Sequence, residues 1–309
     1  PDGAPGFELG PVLLACAGKD GDALLVFGDE KGAKGQVAFP APMDLGFVRE
    51  GDRGARLVRL ERRAAPEGYV SSVRAGSELL FAPGGDRIDD DFAGFRLTSK
   101  GMAAYLGGTL QAAIEGRPRQ PPIVAEDNRT GIALEGKTVR QGYFYTRQTM
   151  AMAPGWSLRV AVRATNDVAR KAVSELRGLV RLGSDGHAAR VGQGGEWGWP
   201  GAAGDVDGRA ALYFASPVAL EDATAERLSK LAGGEVSVVA RATMRPLSLG
   251  GWKLGVGPRD MRRYWPAGTV LHLASRGADL ARLHGASVAS DELERCAGFG
   301  FGLLGKLEG

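Results

Sequence analysis

The sequence predicts an α+β fold made of short strands, few helices and many turns. A helix is predicted over residues 221–232, because this segment begins with acidic residues, has a lysine near its end and is followed by two glycines. Strands are predicted around it over 210–216, 236–242 and 269–274, and a weaker helix over 278–284. Strand, helix, strand, strand, weaker helix and a final segment is the order of a ferredoxin-like βαββαβ unit.

Upstream elements are predicted from alternation and capping signals. Residues 157–164 alternate, which predicts a half-buried strand with a basic outer face. The side chains expected on its buried face are Leu158, Val160 and Val162. Residues 142–165 are predicted to form one long hairpin that turns near 153–155. A short helix is predicted over 98–105, with Thr98 or Ser99 as its N-cap.

A glycine-rich bridge over 193–208 predicts a boundary between two parts of the chain, residues 1–195 and residues 205–309. Trp197 and Trp199 lie inside this bridge. We expect them to fix the bridge to a core rather than to stack on bases, since tryptophan is usually buried.

The composition is ordinary for a globular protein and excludes several classes. With 44% apolar residues, the chain can bury a sizeable core. It has no long uncharged apolar segment and no leader-like segment, so we expect a cytoplasmic protein that does not enter the membrane. Cys16 and Cys296 are not clustered with each other or with histidine, so no disulfide framework, metal site or cofactor is expected.

Arginine far outnumbers lysine, although the net charge is only +3. The arginine side chain suits phosphate contacts and base stacking. A GC-rich genome would produce the same excess together with the abundant alanine and glycine. The placement of the arginines must therefore decide whether the protein binds nucleic acid.

The glycine-rich tail matches three nucleotide-binding motifs in part. Gly300-x-Gly302-x-x-Gly305 fits a dinucleotide fingerprint, and Gly300 to Lys306 fits the spacing of a phosphate-binding loop. Both motifs need a following helix, which the last residues do not provide. Residues 298–301 also share the glycine-aromatic pattern of an RNP motif, which in an RRM domain lies on a central strand. We therefore expect no dinucleotide-binding domain, no phosphate-binding-loop domain and no RRM domain. RNA stays a candidate ligand.

Short motifs follow one another along nearly the whole chain. They are Gly10-Pro11-Val12-Leu13, Phe39-Pro40-Ala41-Pro42-Met43-Asp44-Leu45, the segment from Leu97 to Tyr105-Leu106-Gly107-Gly108, Glu126 to Leu134 with Gly142-Tyr143-Phe144-Tyr145, Val180-Arg181-Leu182-Gly183, Gly250-Gly251-Trp252, Pro266-Ala267-Gly268-Thr269-Val270 and the tail. Each motif alone is weak. Their joint order resembles the family of third subunits of Cmr, the type III-B CRISPR effector complex.

This resemblance implies a RAMP architecture with two ferredoxin-like (RRM-like) halves and glycine-rich loops. It also implies a non-catalytic subunit that holds the 5′ handle of the CRISPR RNA (crRNA) and contacts the large polymerase-like subunit and a backbone RAMP subunit. Family members usually open with an apolar strand and an arginine-containing helix before the Gly-Pro segment, so the first half is expected to be incomplete at its N-terminus. Residues 184–187 also depart from the family pattern, which usually has a second glycine and an acid there.

Three basic clusters lie beside glycine turns, and aromatic residues are interleaved with the first of them. Single-stranded RNA favours such a combination of phosphate and stacking contacts, although ordinary solvated surface is the alternative for each cluster. The candidate RNA-binding residues are Arg129, Lys137, Arg140 and Arg147, then Arg181, His187 and Arg190, then Trp252, Lys253, Arg262 and Arg263, and in the tail Gly298, Gly300 and Gly302. In an extended tail these glycines would share one face, with two phenylalanines anchored in the core behind it; close packing inside the domain is the alternative.

Catalytic arrangements are poor in this sequence. Ser184, Asp185 and His187 are too close together for a triad, and residues 89–91 are three adjacent aspartates typical of a solvated turn. His272 alternates with apolar residues and is expected to be structural. A RAMP endoribonuclease that processes CRISPR repeat RNA, with His187 as general base, remains the alternative to the RNA-binding scaffold.

Overall fold

The computed structural model of the chain describes residues 6–17, 24–25, 34–51, 54–64, 79–88, 95–111, 113–115, 124–152, 155–182, 187–192, 199–201, 208–253 and 257–307. Within these residues, strands and a few short helices alternate, which confirms the α+β class. In this part of the chain, no helix combines the length and the apolar character needed to cross a bilayer.

Residues 6–192 form the N-terminal part, which consists mainly of strands. Its helices are α1 (Ser99–Leu106) and α2 (Asp167–Glu175), and a 3-10 turn spans Pro83–Gly85. Its strands are β1 (Phe7–Ala17), β2 (Leu24–Leu25), β3 (Lys34–Pro40), β4 (Leu45–Glu50), β5 (Gly54–Arg59), β6 (Glu61–Arg63), β7 (Leu79–Phe81), β8 (Arg96–Leu97), β9 (Ala113–Glu115), β10 (Val124–Glu135), β11 (Thr138–Met152), β12 (Trp156–Ala164), β13 (Gly178–Leu182) and β14 (His187–Val191).

Residues 208–307 form the C-terminal part. Its helices are α3 (Ala225–Ala232) and α4 (Glu292–Cys296), with a 3-10 helix over Leu280–Leu283. Its strands are β15 (Arg209–Phe214), β16 (Val218–Ala219), β17 (Glu235–Ala242), β18 (Leu247–Lys253), β19 (Gly257–Trp265), β20 (Val270–Arg276), β21 (Ala286–Ser287) and β22 (Phe301–Gly305). Sequence reasoning predicted the three main strands and missed the β18–β19 pair and α4.

The C-terminal sheet has the order β17-β20-β15-β22-β21, and all its neighbours are antiparallel. Helix α3 buries Leu228 and Ala232 in the core of this part. The helix begins after the predicted start, because the Thr224 hydroxyl accepts a hydrogen bond from the Arg227 N–H and so caps it. It ends where predicted, since Gly233 adopts a left-handed φ of 72°. The weaker helix predicted over 278–284 is only the 3-10 helix.

The N-terminal sheet has the order β12-β1-β3-β8-β2. The hairpin predicted over 142–165 is wrong, because β12 pairs with β1 while β11 pairs with β10. The predicted faces of β12 are also wrong: Leu158 is 54% exposed, and Val160 and Val162 are exposed as well. Alternation separates the two faces of a strand, but it does not say which one meets the core.

The main core joins the two parts of the chain. It contains Phe39 and Leu97 from the N-terminal part together with Tyr213 and Leu303 from the C-terminal part. Trp199 of the bridge packs edge-on against Phe39 and lies with its ring centroid 4.5 Å from that of Phe301. The structural role predicted for Trp199 is therefore confirmed, whereas Trp197 and residues 89–91 lie outside the described residues.

Candidate nucleic-acid interface

Strands β10 and β11 form a two-stranded ribbon that joins no other sheet in the described structure. The ribbon turns at Gly136, whose φ of 66° is in the left-handed region that glycine adopts most readily. The register places Arg129 directly opposite Arg147. Like charges opposite each other destabilise a strand pair, so an anionic ligand would stabilise this one. The side chains of Arg129 and Arg147 themselves lie outside the described part of the structure.

Tyr145 lies across the ribbon, two residues before Arg147. Its backbone pairs with that of Gly131, and a Cβ atom on Gly131 would collide with the Tyr145 ring. The glycine therefore lets the ring fold over the neighbouring strand. The ring is nevertheless 60% exposed, so one of its faces is open to a ligand. Lys137 and Arg140, two further predicted RNA contacts, are exposed near the tip of the ribbon.

Strands β13 and β14 form a second ribbon that carries the second basic cluster. Its register pairs Leu179 with Arg190 and Arg181 with Ala188, which puts both arginines on one face. Both arginine side chains are exposed. The backbone of His187 pairs with that of Leu182, on the other face, and the His187 side chain lies outside the described structure.

The third cluster lies on the β18–β19 ribbon, which β16 extends to a three-stranded sheet. Its residues are in two different environments. The Arg262 guanidinium donates hydrogen bonds to Glu221 and Glu294, with 3.1 Å between Nε and Oε1 of Glu221. Two carboxylates of the protein thus match its charge, and the RNA contact predicted for Arg262 stays a prediction. Arg263, the next residue, is exposed. The side chains of Trp252 and Lys253, at the end of β18, are outside what the structure describes.

The tail glycines are packed against protein atoms. Gly298 and Gly300 have φ values of 81° and 62°, so the extended tail with alternating faces is wrong. A Cβ on Gly298 would collide with the Gly10 carbonyl oxygen, and a Cβ on Gly302 would lie 2.8 Å from Leu212 Cδ1. All three glycines, including Gly300, are buried. Their environment supports the packing alternative, and the RNA contact predicted for them stays untested.

A buried polar network lies where the two parts of the chain meet, and sequence reasoning missed it. The Asp44 carboxylate accepts hydrogen bonds from Arg59 Nε at 2.9 Å and from the Tyr105 hydroxyl at 2.8 Å, and it lies 3.3 Å from His272 Nε2. Arg59 also donates to the carbonyl oxygen of Lys306. Asp44, Tyr105 and Lys306 belong to separate sequence motifs, so these motifs converge on one structural element. The sequence signal that could have revealed this network is an aspartate flanked by apolar residues.

The Asp44 carboxylate is held in its ionised form. Burial favours the neutral acid, but the Arg59 guanidinium and the hydrogen bonds from His272 and Tyr105 outweigh it and lower the pKa of Asp44 to about 2. An ionised carboxylate only accepts hydrogen bonds, so the facing His272 Nε2 carries a hydrogen. Burial raises the pKa of Tyr105 well above its ordinary value. Asp44 and Arg59 therefore keep their charges in the folded protein, and the role of the network is structural.

A cavity of about 460 Å³ borders this network. Its walls include Arg59, Tyr105 and His272 together with Arg56 and Arg62. Arg56 pairs with Glu50 at 2.7 Å and Arg59 with Asp44, so most of this positive charge is matched within the protein. The exposed ribbons are consequently better placed than the cavity to meet a polyanion.

A family model matches most of the chain, and two solved structures match with low scores. The family model described as CRISPR-associated protein (Cas_Cmr3) matches residues 23–307. A chain in the cryo-EM structure of the Type III-B Cmr-beta bound to cognate target RNA and AMPPnP, state 1, matches with a TM-score of 0.40 and 12% identity, over 86% of this chain and 66% of that one. A chain in the cryo-EM structure of the Type III-B Cmr-beta bound to cognate target RNA matches with a TM-score of 0.38 and 11% identity, over 86% and 64%.

The chain thus spans slightly less than two thirds of the length of these two solved chains. A search of curated protein sequences finds no match.

Proposed function

Because the chain belongs to the Cas_Cmr3 family of CRISPR-associated proteins, we propose that it is a non-catalytic, RNA-binding subunit of a type III-B CRISPR effector complex. In this role it holds the 5′ handle of the crRNA. Its protein partners are the large polymerase-like subunit and a backbone RAMP subunit. The proposed activity is binding and positioning of RNA in antiviral defence.

The β10–β11 ribbon is the observation that carries the RNA-binding role. It brings Arg129 opposite Arg147, and it exposes Tyr145 two residues from this pair. Arginines supply phosphate contacts, and an open aromatic face supplies stacking on an unpaired base, which together are the chemistry of single-strand recognition. Phosphate binding also relieves the repulsion between the opposed arginines.

The proposal includes two ferredoxin-like halves. In the C-terminal part, β15 and β20 are central, β17 lies beside β20 and β22 lies beside β15, with α3 between β15 and β17 in the chain. A ferredoxin-like βαββαβ unit places its first and third strands at the centre in this way. The β18–β19 ribbon is then an insertion between the second and third strands. The N-terminal part, with β1 and β3 adjacent in a five-stranded sheet, is the proposed counterpart.

Incubation with end-labelled CRISPR repeat RNA tests this function against the endoribonuclease alternative. The purified chain, alone and reconstituted with its Cmr partners, is assayed for both binding and cleavage. We expect the assembled complex to retain handle-containing RNA better than RNA of the same length with a scrambled handle, and the chain to leave the RNA intact. Metal-independent cleavage of repeat RNA by the chain would instead establish the endoribonuclease, and equal retention of both RNAs would exclude handle binding.

A further inference from the structure

Strands β1 and β12 share one face that is lined with apolar side chains. Residues that lie directly opposite each other in a strand pair are on the same side of the sheet. We call this surface the outer strip. Its opposed pairs include Phe7 with Ala164, Leu9 with Val162, Val12 with Val160 and Leu14 with Leu158.

The outer strip stays on one side of the sheet, although β1 has an irregularity between Leu9 and Val12. The partners of these residues on β12 remain two positions apart, so they point to the same side. The exposure of the side chains agrees with this assignment. Val12 is 54% exposed and Val160 is 40% exposed, whereas Leu13, which follows Val12, is buried in the main core.

The outer strip carries no charge. The charged residues of β1 and β12 are Glu8, Arg159 and Arg163, and the register places all three on the opposite side, where Arg163 pairs with Glu8. The exposed parts of the outer strip amount to a few hundred Å², which is about as large as apolar patches on monomeric proteins become. An uncharged apolar patch of this size suits a protein partner and not RNA.

The C-terminal sheet shows how the same chain covers such a face. Each sheet contributes one side to the main core, with Leu13 from the N-terminal sheet and Tyr213 from the C-terminal sheet. The other side of the C-terminal sheet carries Leu212 and Leu271, which pack with helix α3 and are fully buried. The outer strip is the other side of the N-terminal sheet, and its side chains remain exposed. A helix is therefore the cover that the second sheet indicates for the first.

The dimensions of the outer strip also fit one helix. Two neighbouring strands give a width of about 10 Å, which is the diameter of a helix with its side chains. The strand rise from Leu158 to Ala164 gives a length of about 20 Å, or about 13 helical residues. A strand added beside β12, the edge strand of the described sheet, would border Val160 but would leave Val12 open. Only a partner that lies over both strands covers the whole strip.

We propose that the outer strip is a docking surface for an amphipathic helix of a neighbouring subunit in the effector complex. Apolar residues of this helix at positions i, i+3 or i+4, and i+7 pack on Val12, Leu158 and Val160. The proposal rests on the proposed function, since it requires a complex, and it adds the surface through which one partner is held. Burial in the complex also explains why β12 alternates although its apolar side is open in the chain itself.

A second copy of this chain is a poorer occupant of the outer strip. One partner in a stable interface of standard size contributes about 800 Å², which is more than the strip exposes. A helix that belongs to a larger subunit does not face this limit, because the rest of that subunit makes further contacts within the complex.

Binding of the labelled chain to the other Cmr subunits, measured without RNA, tests the docking surface. Val12→Thr with Val160→Thr keeps the shape and the strand propensity of both residues and adds two hydroxyls that the helix would bury. We expect the affinity to fall at least about tenfold. The melting temperature of the isolated chain should stay close to that of wild type, because both residues are exposed in it.

Met244→Thr with Leu247→Thr is the matched control, because these apolar residues of the C-terminal part are also exposed. A decrease in affinity no larger than in this control would overturn the proposal. If the wild-type chain does not bind the other Cmr subunits at all, the proposed function itself fails. If wild type binds and the Val12, Val160 variant binds equally well, only the docking surface is refuted.

Photocrosslinking identifies the occupant of the outer strip. Leu158→p-benzoylphenylalanine places a photoreactive group at the strip in the reconstituted complex, and mass spectrometry then locates the crosslinked residues. We expect crosslinks to one segment of another subunit whose apolar residues recur with helical spacing. Crosslinks to this chain itself, in the same copy or a second one, to a segment that alternates like a strand, or to crRNA would overturn the proposal.

Discussion

The Asp44 carboxylate of the N-terminal part lies 3.3 Å from Nε2 of His272 in the C-terminal part, and both side chains are buried. The two residues are 228 positions apart in the sequence. Together with Arg59 and Tyr105, this contact fixes the position of one part of the molecule on the other.

Asp44→Asn should destabilise the protein strongly. The substitution removes the charge that compensates Arg59, whose side chain is only 16% exposed. Breaking a mostly buried ion pair from one side costs about 3 kcal/mol. Denaturant unfolding at neutral pH measures this effect, and Glu50→Gln, which breaks the exposed Arg56 pair, is the control with an expected effect below about 1 kcal/mol. Equal effects of the two substitutions would contradict a stabilising role for the network.

The same carboxylate should make stability depend on acid pH. The pKa of Asp44 falls from 3.8 to about 2 on folding. A carboxyl group whose pKa is lowered on folding stabilises the folded state fully at pH values above its pKa in the unfolded chain. This stabilisation is lost as the pH falls through its pKa in the folded protein. We expect up to about 2 kcal/mol to disappear between pH 4 and pH 2. In Asp44→Asn this part of the pH dependence should be absent, as acid titration of unfolding would show.

The tail glycines should matter for folding before they matter for RNA. Gly298→Ala forces a left-handed residue to carry a Cβ that collides with the Gly10 carbonyl oxygen, so we expect a destabilisation of about 2 kcal/mol or more. Gly277→Ala is the matched control, since Gly277 has a φ of 65° but open space around it. It should show only the smaller backbone cost. If the Gly300→Ala variant unfolds at the same temperature as wild type but no longer retains RNA, the result would support a ligand-binding role for the tail.

The β10–β11 ribbon should contribute to RNA affinity through charge. Replacing Arg129, Arg140 and Arg147 with alanine should reduce both the affinity and its salt dependence, with a slope that falls by about 0.7 for every phosphate that the variant no longer binds. Filter binding over a range of salt concentrations measures the slope. Arg170→Ala with Arg282→Ala is the control, because both arginines are exposed and already paired with aspartates. An unchanged slope in the triple variant would make this ribbon ordinary solvated surface.

Assembly should raise RNA affinity substantially. A net charge of +3 supplies little long-range attraction, and each ribbon covers only part of a strand. We therefore expect weak binding by the isolated chain and tight binding by the complete complex under the same salt conditions. Fluorescence anisotropy on both samples makes the comparison, and equal affinities would contradict it.

Local signals in the sequence predicted local structure well. Thr98, which accepts a hydrogen bond from the Gly101 N–H, and Gly233 mark helix ends because capping depends on a few adjacent residues. Strand pairing was predicted less well. The partner of β12 is β1, more than a hundred residues upstream, and no turn between them reveals the pairing. The chemically important contact of Asp44 with His272 likewise joins distant segments, so only the folded chain brings it together.

Crosslinking of the assembled complex on crRNA is the sharpest test of handle binding by this chain. Ultraviolet irradiation followed by mass spectrometry identifies which residues of the chain contact which nucleotides. We expect peptides containing Tyr145 to crosslink to nucleotides of the 5′ handle, and Tyr145→Ala to remove this crosslink without preventing assembly. Crosslinks from the handle that fall only on other subunits, with none on this chain, would refute handle binding.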